Sequence, residues 1–130
     1  MKFSSLIIGL FMLFVFTDSN AQTITSFTGS DTIANTATVN LLLTVRNFYE
    51  TGAFQVTNTK LSGTAAGTTK FQGSVDGTNY VTIDTLLNLD QTTNTKIFTD
   101  VPTRYPYYRL TTTGVGTMSV ITVGKAHFKK

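Results

Sequence analysis

Past a short N-terminal leader, the sequence predicts an all-β chain folded as an antiparallel sandwich or barrel. Three observations carry this. Threonine makes up about a fifth of the chain, with Val, Ile, Phe and Tyr beside it, and such side chains suit a pleated, half-buried surface. Short apolar-alternating runs are broken by Gly, Asn, Asp and Pro roughly every ten residues, the rhythm of strands and turns. Runs of Ala, Leu, Glu and Lys at helical spacing are missing beyond the leader, so almost no helix is expected there.

The leader comes first along the chain. Lys2 gives a positive start, residues 6–16 are an apolar run with Gly9 inside it, and Ser19, Asn20 and Ala21 are small residues of the kind an export peptidase reads. These features predict a hydrophobic leader helix over residues 1–21, a secretory signal peptide cut before Gln22, followed by one domain over residues 22–130. The apolar core is about 11 residues, short of the roughly 18–20 that a helix needs to cross a bilayer. Retention as an anchor is the weaker reading, and membrane association is expected only through an uncleaved leader.

The strands follow in order. Residues 36–45, "TATVNLLLTV", read as a largely buried strand. Residues 53–61 place Phe54 and Val56 on one face, and Leu61 has the opposite parity, so a bulge or bend is expected between them. Residues 62–67, "SGTAAG", read as a tight turn. In the strand that follows, Thr69, Phe71, Gly73 and Val75 share one side and Lys70, Gln72 and Ser74 the other. Residues 80–83 pair back with Val81 and Ile83 inward. Residues 85–95 read as a long polar loop pinned by Leu86, Leu87 and Leu89, and residues 96–101 as a short strand ended by Pro102. Residues 107–113 and 117–128 read as a closing hairpin around the turn 114–116, with Met118, Val120, Ala126 and Phe128 in phase.

Composition narrows the function. Zero cysteines in an exported chain leave no disulfide framework and no thiol chemistry. Lys+Arg 10 against Asp+Glu 7 gives a formal +3, too small and scattered a surplus to predict nucleic-acid binding, which wants a basic stripe on one face. It supports weak attraction to anionic surfaces.

The stretch "KFQGSVDGTNYVTID" holds Asp76, Gly77, Thr78 and Asn79 between two alternating runs. Gly accepts positive φ freely, and Asp and Asn close turns through side-chain hydrogen bonds, so Asp76, Gly77 and Asn79 are expected to be a structural turn. A calcium loop needs several more oxygen ligands at defined spacing than Asp84 supplies. No metal site and no cofactor is expected. The one histidine, His127, lies between Ala126 and Phe128 and reads as an exposed strand residue, because a catalytic base must be oriented by a third group. The six carboxylates of residues 22–130, Asp31, Glu50, Asp76, Asp84, Asp90 and Asp100, include no pair that stands out as a glycosidase pair. A non-enzyme is expected. The segment with binding character is "TRYPYYRL", residues 103–110, where Arg104, Tyr105, Tyr107 and Arg109 are the candidate ligand-binding residues, by ring stacking on a sugar. Alternation puts Tyr108 and Leu110 on the opposite face from Tyr107 and Arg109, so at least one tyrosine is expected in the core.

The strings "LSGTAAGTTKFQGSVDGTNYVTID" and "TRYPYYRLTTTGVGTMSV", with the basic end "HFKK", resemble a group of small β-rich bacteriophage structural proteins. More distantly the segments are similar to discoidin-like, galactose-binding-type sandwiches. The resemblance covers about residues 61–128. It implies a jelly-roll-type antiparallel β-sandwich of about eight strands and the role of a virion component or surface-binding module, without catalysis. Virion proteins normally assemble in the cytoplasm without an export signal. The leader therefore leaves two versions open: an anchor retained in a membrane-bearing particle, or a secreted protein that shares the sandwich. The expected partners are copies of the chain itself or a larger protein assembly, with a cell-surface glycan as the alternative. The expected location is extracellular or at the cell surface, with the virion as the other version.

Overall fold

The computed structural model describes residues 24–45, 49–99 and 103–129. The leader expected over residues 1–21 lies outside them, as does the strand end expected at Pro102. Eight strands make up the described fold: β1 (Ile24–Ala34), β2 (Thr38–Thr44), β3 (Thr51–Gly63), β4 (Gly67–Ser74), β5 (Val81–Asn88), β6 (Thr93–Thr99), β7 (Tyr107–Gly114) and β8 (Met118–Lys129). They form two four-stranded antiparallel sheets, sheet A in the order β1-β8-β3-β6 and sheet B in the order β2-β7-β4-β5. Among consecutive strands, only β4 and β5 are hydrogen-bonded neighbours. Every other step along the chain crosses from one sheet to the other.

Alternation explains why these residues fold this way. On β7, Tyr108, Leu110 and Thr112 are buried while Tyr107, Arg109 and Thr111 are half-buried on the other face. On β8, Met118, Val120, Ala126 and Phe128 are all buried, in the phase expected. The inward rings of both sheets meet in the main core. Phe54 lies 4.5 Å from Phe71 and 4.8 Å from Tyr108, and Phe71 stacks on Phe98 at 5.3 Å, centroid to centroid. Each buried ring of this kind contributes about 1.5–3 kcal/mol. Ile33, Ala65, Met118 and Val120 form a smaller apolar cluster toward the other end of the sandwich.

Between the two clusters lies a polar layer. Asn58 of β3 donates to Thr69 Oγ1 at 2.9 Å and to Asn88 Oδ1 at 2.6 Å, and accepts from Thr122 Oγ1 at 2.8 Å. Thr69 and Thr112 share a further bond of 2.9 Å. These residues are drawn from both sheets, so the network ties the layers together. Asn88 Nδ2 is the one buried side-chain polar atom without a partner among the described residues.

The bulge expected near Leu61 is present: the β3–β8 register shifts between Lys60 and Ser62. Other expectations are corrected. Residues 107–113 and 117–128 are not a hairpin, because β7 pairs with β2 and β4 and β8 with β1 and β3. The glycine turn at 114–116 therefore bridges the sheets, and the turn at 62–67 likewise carries β3 in one sheet to β4 in the other. Residues 36–45 are not largely buried. β2 is an edge strand, and in it Leu41 alone is buried while Leu42 is 60% exposed. The loop expected over 85–95 is mostly strand, since β5 runs to Asn88 and β6 starts at Thr93. Val81, expected inward, is exposed on edge strand β5, and Val75, expected in phase with Phe71, lies beyond the end of β4 and is exposed. β1 has no counterpart among the strands read from the sequence.

Backbone demands appear where strands turn. Gly67 has φ +116°, and a Cβ there would lie 2.1 Å from the Thr113 carbonyl oxygen. Only glycine tolerates both conditions.

Candidate functional site

The Tyr/Arg segment enters through a loop pinned at both ends. Thr103 is buried, and its N–H and hydroxyl both donate to the Tyr49 carbonyl at 3.2 Å. The Tyr108 hydroxyl, at the start of β7, accepts the backbone N–H groups of Arg104 at 3.0 Å and Tyr105 at 3.2 Å. The loop is thus held by a core tyrosine.

The four expected binding residues do not share one surface. Tyr105 packs edge-on to Tyr108, 5.9 Å between centroids, and lies so close to the inward-facing Gly73 that a Cβ there would fall 2.3 Å from its ring. Arg104 is exposed on the loop. Tyr107 and Arg109 are together on the outer face of sheet B. Even there the flat surfaces are partly taken: the turn at Gly77 lies over the Tyr107 ring, and the Arg109 guanidinium sits 3.9 Å from the centroid of Tyr80. Arg109 Nε donates to Gln72 Oε1 at 2.7 Å, Gln72 Nε2 donates to Thr82 Oγ1 at 3.1 Å, and Thr111 Oγ1 lies 2.7 Å from Asn40 Oδ1. This chain of contacts crosses all four strands of sheet B. The arrangement ties its strands together.

Asp76, Gly77 and Asn79 sit in the β4–β5 connection. Asp76 Oδ1 accepts the N–H groups of Thr78 at 2.8 Å and Asn79 at 2.7 Å and the Ser74 hydroxyl at 2.9 Å, and Oδ2 accepts Asn79 Nδ2 at 2.7 Å. Gly77 has φ +73°. The loop's own donors meet both carboxylate oxygens, three on Oδ1 and one on Oδ2. The donation from Asn79, then from Thr78 and Ser74, holds the Asp76 carboxyl well below the ordinary carboxylate range. Asp84 is lowered by the bond from Lys96, and Asp90 by the bond from Lys60. No cluster of three or more His, Cys, Asp or Glu side chains is placed to hold a metal among the described residues.

The edges of the sheets differ in chemistry, which the sequence reading did not separate. On one flank, Lys96 points inward from β6, and its ammonium donates to Asp84 Oδ1 at 2.8 Å and to the Thr85 carbonyl at 2.8 Å. It occupies a carbonyl of edge strand β5 and clamps the two edges together; β5 also carries a register irregularity opposite Phe71 and Gln72. Inward charges and bulges are devices that blunt sheet edges. On the other flank, β1 carries Asp31. β2 carries none of these: Thr38–Thr44 has no charge, no proline and no register shift. The Ala37 carbonyl accepts from Gly114 N–H and Val45 N–H donates to the Pro106 carbonyl, so odd-numbered residues bond toward β7. The N–H and C=O groups of Thr38, Asn40, Leu42 and Thr44 therefore face away from the sheet. The available signal was the absence of charge across residues 36–45.

No family model matches the chain, and no curated protein sequence matches it. Solved structures do match its fold. One is a protein of Bacillus endospore appendages, described as a family of disulfide-linked pili, with TM-score 0.54, 11% identity, and 83% of this chain and 89% of that one covered. Another is the Yersinia pseudotuberculosis-derived mitogen, with TM-score 0.54, 15% identity, and 80% and 84% covered. At such identities the likeness is one of fold, between β-rich proteins.

Proposed function

We propose that this is an exported, non-catalytic jelly-roll protein that builds a surface appendage or particle by associating with copies of itself. The observation that carries the reading is the β2 edge, seven residues of uncharged strand with alternate backbone groups unpaired. β1 carries Asp31, and β5 and β6 carry the inward Asp84–Lys96 pair, charges that self-pairing along those edges must accommodate. Self-pairing along β2 brings none. The strand order β1-β8-β3-β6 over β2-β7-β4-β5 follows the two-sheet, eight-stranded jelly roll, and the likeness to a pilus protein supports a structural role. With no cysteine in this chain, association rests on strand pairing and packing, not disulfides.

Sedimentation velocity over a range of concentrations tests it. The protein is expected to gain mass with concentration. Leu42→Lys, which puts a charge on the open edge, is expected to hold it monomeric, while Ile97→Lys on the clamped β6 edge leaves association intact. A wild-type protein that stays monomeric at every concentration would refute the reading.

A further inference from the structure

The outer face of sheet A carries a second surface, independent of the β2 edge. On β8, Lys125, His127 and Lys129 alternate with buried residues and all point outward, exposed. Strands rise about 3.3 Å per residue, so the two lysines are about 13 Å apart along one line. β8 is an interior strand, flanked by β1 and β3, so this line runs down the sheet and not along its rim. Its cross-strand neighbours are uncharged: Thr28 and Gln55 beside Lys125, Ala53 beside His127, Thr51 beside Lys129. The other outward positions of the described face, Ser30, Thr32, Thr57, Thr59, Thr93 and Thr95 among them, include no carboxylate. None of the three basic residues has an ion pair or hydrogen bond among the described residues, whereas Lys60 and Lys96 are each paired with an aspartate.

Two of the three basic residues, Lys125 and His127, border a groove of about 310 Å³ that crosses the strands. Lys125, Gln55, Thr28 and Ile97 form one wall, in a single row across all four strands by register. His127 forms the other, and the small side chain of Ala53 leaves the depression between them.

We infer that this face binds a carboxylated polysaccharide, its lysines meeting successive carboxylates and Gln55, Thr28 and His127 meeting sugar hydroxyls. The positive charge of this face, unpaired among the described residues, selects an anionic partner. Its chemistry selects among anions. Lysine is a point charge suited to isolated carboxylates, and the outward positions of the described face include no arginine fork and no aromatic platform of the kind that binds nucleic acid, the Phe27 and Phe54 of the groove lining belonging to the core side of the sheet. It also lacks the broad apolar surface that seats a protein in a bilayer, while hydroxyls and an amide flank the charges.

Affinity electrophoresis and co-sedimentation with polygalacturonate test this, with dextran, duplex DNA and phosphatidylglycerol vesicles as comparison probes. Binding to polygalacturonate and not dextran, weakening with added salt, is expected. The double variant K125Q/K129Q is expected to lose about tenfold in affinity, the sum of two solvent-facing charge contacts. K60Q/K70Q, which removes two positive charges elsewhere, is expected to stay within about threefold on the same basis. Circular dichroism melts establish that both variants fold, and H127Q is the milder variant should the double one fail to. No binding to polygalacturonate, equal losses in the two double variants, or a preference for DNA or vesicles would each overturn the inference.

Discussion

Asp76 shows how one residue holds a turn. Its two oxygens accept four donors from residues 74–79, and those bonds are stronger to the charged form. Because the folded carboxyl titrates below its ordinary value of 3.8, its stabilising contribution is complete above that range. It is lost as pH falls below about 3.8 toward the depressed value. Asp84 and Asp90 act in the same direction. Urea midpoints measured against pH are therefore expected to fall on acidification below that range, and less steeply in Asp76→Asn. Equal slopes would show that the turn does not depend on the charge. The turn itself was legible, because Asp, Gly and Asn each have a stated chemistry in turns. The fate of the tyrosines was only half legible. Alternation put Tyr107 and Tyr108 on opposite faces with at least one tyrosine in the core, and Tyr108 is that one, but alternation has no means of showing that Tyr105 folds back onto Gly73, a contact across 32 positions of sequence.

At the scale of strands, local pattern gives each strand's faces and withholds its neighbours. β7 and β8 are joined by a glycine turn that would suit a hairpin, yet they lie in different sheets. The residues that form a hairpin and those that form an arch between sheets are the same, and the choice is made by packing. β2 misled for a related reason: an apolar run reads as a buried strand, but at a sheet edge one face and one rim stay in water. β1 was missed because its Thr, Ser and Gly show little apolar alternation. Asn58 is a third case. In phase with Phe54 and Val56, it is buried to 2% exposure by a network that no local pattern announces. Removing its amide leaves Thr122 Oγ1 without its acceptor and Asn88 Oδ1 without its donor. Asn58→Ala is expected to cost about 3 kcal/mol in urea unfolding, from buried groups left unpaired. A loss below about 1 kcal/mol would mean that the layer relaxes around the gap.

For the whole molecule, the two flanks of the sandwich are built differently. One is closed by Lys96 bridging β5 and β6, and the other presents β2 with its outward backbone groups unpaired. A second copy joined there by a two-fold axis extends sheet B from four strands to eight, with each copy's β2 opposite the other's. The basic line on β8 lies on the outer face of the opposite sheet, so association through β2 leaves it open to solvent. The two surfaces are thus separable by mutation. The most direct test of the association is amide hydrogen exchange, residue by residue, at low and high concentration. The N–H groups of Asn40 and Leu42 are expected to exchange freely in the monomer and to become protected on assembly, with β5 and β6 unchanged. Unaltered exchange across Thr38–Thr44 in an assembled sample, or new protection confined to β5 and β6, would contradict the account.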